Sequence, residues 1–184
     1  RVEARPNIDL VTSEVDLAAA ESELVSRTDR HDLLHRKLDP IVDQYDWVLI
    51  DCPPSLGLLT VNALAAASEL VVPMQAHFLA LQGISRLLET VGMMVGGINP
   101  RLRVSGIVMC MYERQTNLAK EVVGDLKSFL ESSRGQGLPW SSCQLLSPPI
   151  RRNVKLAEAP SFGQTIFDYA PTCAGANDYR ALAR

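Results

Sequence analysis

DWVLIDCPPSLG, residues 46–57, is the stretch whose reading decides the fold. Trp47 to Ile50 form a short apolar run rich in β-formers. The run ends on the carboxylate of Asp51 and meets a Pro53-Pro54 turn. An apolar run of this length bounded by turn signals reads as a buried strand. Two more runs have the same form: ELVVPMQ at 69–75 and VSGIVMCMY at 104–112. Helical spacing separates them. Leu58 to Ser68 reads as one helix, and Leu79 to Val95 as a longer one with Ile84, Leu87, Leu88, Val91 and Val95 facing inward. Gly96-Gly97 and Asn99-Pro100 end it. Apolar strands alternating with helices predict an α/β fold with a mostly parallel sheet covered on both faces.

Working outward, Asn7 to Val11 reads as a short strand. Ser13-x-x-Asp16 forms a capping-box pattern before an Ala-rich helix over 14–27. A second helix is expected over 29–44, on Leu34, Leu38, Ile41 and Val42. Beyond the third strand, Thr116 is placed to cap a helix whose stripe is Leu118, Val122, Leu126, Phe129 and Leu130. Cys143 to Leu146 reads as an edge strand, Ser147 to Gly163 as a polar loop with prolines, and a last helix begins near Gly175. Residues 1–184 read as a single domain, with no repeat or low-complexity tract.

Hydrophobic residues make up 47% of the 184 and charged residues 21%, which describes a globular chain rather than a disordered one. The net charge of −3 offers nucleic acid no general attraction, so any such binding needs a local basic patch. Cys52, Cys110, Cys143 and Cys173 lie at gaps of 58, 33 and 30 residues. That spacing argues against a zinc site or a disulfide framework and fits reduced thiols in a cytoplasmic protein. No apolar run reaches the ~18 residues of a membrane span, and RVEARPNIDL has neither a starting Met nor the apolar core of a signal peptide.

Asp51 ends a strand at the edge where open α/β sheets bind ligands. A carboxylate there has the form of a Walker B aspartate, which holds Mg²⁺ against nucleotide phosphates. On these residues alone, an aspartate that only caps the following turn stays open. The segment YDWVLIDCPPSLGLLTVNALAAASELVVPMQ, 45–75, resembles the ParA/Soj family of chromosome and plasmid partition ATPases, in the MinD/ParA superfamily. The resemblance continues through FLALQGISRLLETV at 78–91, MYERQTNLAKEVV at 111–123, RRNVKLAEAPSFGQTIFDYAP at 151–171 and GANDYRALA at 175–183.

That resemblance implies a three-layer P-loop NTPase-like fold, ATP and Mg²⁺. It also implies an ATP-dependent homodimer that binds DNA nonspecifically, is stimulated by a ParB/Spo0J-type centromere-binding partner, and works in the cytoplasm on the nucleoid rather than at a membrane. Asp51 matches the Walker B aspartate, holding Mg²⁺ through water. Cys52 to Gly57 matches the switch II segment, with Pro53, Pro54 and Gly57 shaping it. Gln75 matches a polar strand end, for which simple capping is the other reading. Met111 and Glu113 fall where the base-contacting strand ends, and Arg151 and Asn153 in the loop around the adenine. Basic residues of the same segments imply DNA contact at Arg152, Lys155 and Arg114, against the alternative of a solvated charged loop. The match is uneven. Arg114 is displaced by one from the usual arginine, Arg151 stands where proline is common, and Lys155 replaces a frequent arginine.

No G-x-x-x-x-G-K-[ST] or K-G-G-x-G-K-[ST] occurs in the 184 residues. The resembled family carries that loop near its N-terminus, so the sequence reads as a C-terminal portion with an incomplete sheet, inactive alone as an ATPase. Without the P-loop strand the expected fragment is marginal or self-associates. Two further functions stay open: a nucleotide-free regulator that binds DNA or a partner, and a MinD-like cell-division ATPase. An iron–sulfur electron carrier of related fold would need cysteines in a ligand-rich setting, and neither Cys52 nor Cys110 has one.

Overall fold

Pro6 and Asn7 make the first turn of the computed structural model, which describes residues 2–14 and 16–184. Pro6 fixes its own φ, and Asn7 takes the left-handed φ of 65° that asparagine tolerates better than most residues. The turn joins β1 (Val2–Arg5) to β2 (Ile8–Leu10) as an antiparallel hairpin. These strands belong to the first of two compact units, Arg1–Ala66; the second is Ala67–Arg184.

In the first unit, α1 spans Leu17–Leu24. Val15, within the expected helix, lies outside the described residues. The expected capping box does not form. α1 begins at Leu17, so Asp16 rather than Ser13 stands at the N-cap, with no side-chain bond; Leu17 donates to the Glu14 carbonyl and Ala19 to that of Asp16. The expected helix over 29–44 is also shorter. It is α2 (Leu33–Leu38) followed by a 3₁₀ turn, Val42–Gln44. Pro40 has no N–H to donate back to the preceding turn, and the helix stops there.

α3 spans Leu58–Ala66. Its buried Asn62 ties the unit together: Nδ2 donates to the carbonyls of Arg30 (2.6 Å) and Leu58 (2.9 Å), and Oδ1 accepts from the Leu34 amide (3.3 Å). The deciding stretch departs from its reading. Trp47 to Ile50 are not in a strand, and Trp47 is 82% and Leu49 90% exposed. A strand needs a neighbour's amides and carbonyls. The strands described in this unit, β1 and β2, are already paired with each other.

The second unit holds a parallel sheet in the order β3-β4-β5, with β3 at Glu69–Gln75, β4 at Arg103–Cys110 and β5 at Gln144–Leu146. Two helices make the crossovers: α4 (Phe78–Gly97) and α5 (Asn117–Ser133). The α/β class and parallel sheet are therefore as expected, with three strands in the sheet. β4 is buried on both faces, with Val104, Ile107 and Met109 almost wholly covered. Gly106 lets β5 close in, since a Cβ there would meet Leu146 Cδ1 at 2.6 Å. β3 differs from its reading as a fully buried strand. It pairs with β4 only, and Val71, Pro73 and Gln75 are exposed. Pro73, lacking an N–H, suits such an edge.

By length and a hydropathy of 1.3, α4 is apolar enough to cross a membrane. Its layout is amphipathic, however: Ile84, Leu88, Val91 and Met94 are buried, while Gln82, Arg86 and Glu89 are exposed. Thr116 caps α5 as expected, its Oγ1 accepting from the Ala119 amide at 3.3 Å. The expected loop over 147–163 is largely helical toward its end. It contains α6 (Val154–Glu158) and a 3₁₀ turn, Ala159–Phe162, followed by α7 (Ile166–Tyr169) and α8 (Ala174–Leu182). Asn153 starts α6 by accepting from the Lys155 amide at 2.9 Å. Ala159, Ile166 and Ala176 form a small core with Leu156, Tyr169 and Cys173 around it. That packing offsets the weak helix propensity of so short a segment.

Candidate functional site

In the first unit, Asp51 leaves the irregular stretch after Ile50 with its side chain exposed. It faces an open cleft of ≈ 470 Å³ whose lining includes Ser13, Glu14, Glu21, Cys52, Pro53 and Ser55. Pro54 and Leu56 are exposed beside it. The turn into α3 is held by Thr60, whose Oγ1 donates to the Ser55 carbonyl at 2.6 Å. Glu21 reaches the start of α3, where its Oε1 accepts from the Leu59 amide at 3.1 Å. An acidic group suits the positive end of a helix dipole. Gly57 makes the approach possible, for a Cβ there would lie 2.2 Å from Glu21 Oε1. Burial and the Asp51 charge together push the Cys52 thiol above its ordinary pKa.

The donors of this cleft fit a metal better than a polyphosphate. An exposed carboxylate is the hard oxygen donor Mg²⁺ takes, with water filling the other positions. Among the described residues, no cluster of three or more His, Cys, Asp or Glu is arranged to hold a metal without such help. The lining includes three carboxylates, Glu14, Glu21 and Asp51, and no Lys or Arg. Negative charge of that density repels phosphate.

In the second unit, the carboxyl ends of β3 and β4 bring the other expected residues together. Gln75 pairs in register with Cys110, and its Nε2 lies 3.4 Å from Met111 Sδ. His77 Nε2 is 3.1 Å from Gln75 Oε1. Met111 turns the chain with a φ of 49°. Tyr112 and Arg151 then form a parallel bridge. The Tyr112 amide donates to the Ile150 carbonyl at 3.0 Å, and the Arg152 amide reaches the Tyr112 carbonyl at 3.5 Å. Met111, Glu113, Arg151 and Asn153, far apart in sequence, therefore share one sheet edge.

The basic residues are less free than a charge count implies. Arg152 Nη1 pairs with Glu113 at 2.9 Å and Lys155 Nζ with Glu158 at 2.8 Å, all four groups substantially exposed. Glu158 also accepts from the Tyr169 hydroxyl at 2.9 Å. Arg114 is exposed and makes no ion pair among the described residues. Sequence reasoning missed Glu21, Asn62 and Asp178. Each sits in a helical stretch where it looks like an ordinary surface residue, and its partner is more than 25 residues away.

The family described as an AAA domain matches residues 1–104. Soj of Treponema pallidum, named a chromosome-partitioning ATPase, is 42% identical over 178 residues, covering 97% of this chain and 66% of that protein. The chain belongs to the ParA/Soj family. Another relative is the chromosome partitioning protein ParA of Myxococcus xanthus, 38% identical over 96% of this chain and 59% of its own length. The chain thus spans somewhat less than two thirds of these curated ParA/Soj relatives. Among solved structures, cobyrinic acid a,c-diamide synthase from Mycobacterium smegmatis superposes with a TM-score of 0.72 at 32% identity. The match covers 93% of this chain and 58% of that one. The same synthase has been solved with ADP and magnesium bound. These matches assign the ParA/Soj chain to the P-loop NTPase fold group.

Proposed function

We propose that these 184 residues are part of a ParA-type ATPase that partitions chromosomes or plasmids, as an ATP-dependent homodimer on nonspecific DNA stimulated by a ParB/Spo0J-type partner in the cytoplasm. The 42% identity to a chromosome-partitioning ATPase over 97% of the chain carries this reading. Asp51 holds Mg²⁺ through water, and Pro53, Pro54 and Gly57 shape the segment that follows it. Met111, Glu113, Arg151 and Asn153 form the edge that takes the adenine. Arg152, Lys155 and Arg114 face DNA phosphates. Bound ATP supplies the phosphoryl group, and Mg²⁺ neutralises charge on its oxygens.

The phosphate-gripping lysine of a P-loop is not among these residues, and phosphoryl transfer depends on it. We expect the purified 184-residue chain to hydrolyse ATP negligibly. Clear Mg²⁺-dependent turnover that Asp51→Ala abolishes would reject this division of the site. For DNA, Arg152→Ala with Lys155→Ala should lower the slope of log K against log salt by roughly 1–2, because each phosphate contact contributes about 0.9. An unchanged slope and affinity would remove the proposed patch. The acidic cleft around Asp51 favours a second reading, a ParA-like regulator that binds DNA or a partner without nucleotide. Titration with adenosine, which needs no phosphate grip, separates the two: binding supports the nucleotide reading and its absence the regulator.

A further inference from the structure

Asp178 on α8 is the only buried carboxylate among the described residues, 6% exposed. A buried charge is costly unless it is paired and hydrogen-bonded. Asp178 meets that need with one residue, Arg151, at the start of the loop that follows Ile150. The Arg151 amide donates to Oδ2 at 3.1 Å, Nε donates to Oδ2 at 2.9 Å, and Nη2 donates to Oδ1 at 2.8 Å. The guanidinium fork is bidentate, the geometry that fixes both distance and orientation. The backbone bond is the more telling of the two: it locates the main chain itself. The bridge from Arg151 to Tyr112 lies on the same residue. Two residues on, Asn153 locks the loop's far end by capping α6. Residues 151–153 are therefore clamped at both ends, and one clamp is Asp178.

We infer that Asp178 is a positioning residue: through Arg151 it sets the loop 151–153 against Met111–Glu113 and so fixes which purine base that edge accepts. This rests on the nucleotide reading of the same edge. Main-chain amides and carbonyls held at fixed positions tell adenine from guanine, because the two bases exchange donor for acceptor along their pairing edges. A loop free to shift presents either pattern and discriminates little. Asp178 touches no ligand in this account and acts only through the backbone it holds.

The test uses the full 184-residue chain, with adenosine and guanosine as probes, since nucleosides need no phosphate grip. Binding is followed by ligand-observed NMR and loop order by hydrogen exchange. Asp178→Asn keeps the shape and removes the charge. Arg151→Gln removes the fork and keeps the backbone bond, a second variant should the first fold poorly. The wild-type chain is expected to prefer adenosine. Asp178→Asn should speed amide exchange at Arg151 and Arg152 by about tenfold, the scale of losing a buried hydrogen-bond partner, and bring the two nucleosides within about twofold of each other. Arg151→Gln should fall between. Exchange in β4 should not move, which a general loss of stability would not allow. A wild-type preference that survives both variants overturns the role of Asp178. A wild-type chain with no preference overturns the nucleotide reading of this edge, and the selectivity role with it.

Discussion

Cys52 follows Asp51 directly, and this places a reporter beside the residue on which the metal proposal depends. Burial raises the thiol's pKa first, and the Asp51 carboxylate raises it further. Removing that charge lowers the pKa and increases the thiolate, the form that reacts with alkylating agents. At pH 8, Asp51→Asn should therefore speed iodoacetamide labelling of Cys52 by roughly two- to threefold, a fraction of a pKa unit. Mg²⁺ held at Asp51 should act in the same direction. Cys143, whose thiol burial pushes up to about 11, should stay unlabelled until the chain unfolds. A Cys52 rate indifferent to both the substitution and the metal would remove Asp51 from the proposed Mg²⁺ site. Asp51 could be singled out in the sequence because its signal is local: an apolar run, a carboxylate and two prolines. Asp178 could not, because its meaning depends on Arg151, 27 residues away. The Arg151 side chain ties the loop to α8 through Asp178.

α5 shows how an element can be recognised and still be rotated from its expected phase. The cap at Thr116 is as read from sequence. Of the expected stripe, Val122, Leu126 and Leu130 are buried, but Leu118 and Phe129 are 46% and 39% exposed, and Ala119 is buried on their inner side. Leu126→Ala should cost roughly 2–5 kcal/mol, as truncation of a buried leucine does. Leu118→Ala should stay within about 0.5 kcal/mol, as surface changes do. Urea unfolding measures both, and equal costs would contradict the observed phase. Periodicity locates a helix better than it orients one, since small residues such as Ala119 pack as closely as large ones. The same limit applies to β3. Its residues 69–75 were readable from composition and flanks, but the exposure of Val71, Pro73 and Gln75 depends on what covers that face.

At the scale of the whole chain, burial is uneven. Nearly all of the large buried side chains lie beyond Ala66, around β4 and its helices. In the first unit, Trp47 and Leu49 are large apolar groups left in water. Exposed apolar surface of this kind drives association. The chain should self-associate with concentration in sedimentation, and Trp47→Ser with Leu49→Ser should weaken that association. A monomer at all concentrations would count against it. The sequence by itself determined the α/β class, the strands of the second unit with α4, α5 and α8, and the family, because these rest on local periodicity and on motifs whose residues are adjacent; the short helices between Val154 and Tyr169 were not legible. It also singled out Asp51. Only the tertiary structure decided that residues 46–50 pair with no strand, that Glu21 takes the start of α3, and that Arg151 is held by Asp178. Each of these depends on a partner supplied from elsewhere in the chain, and a residue's own neighbours carry no record of whether that partner arrives.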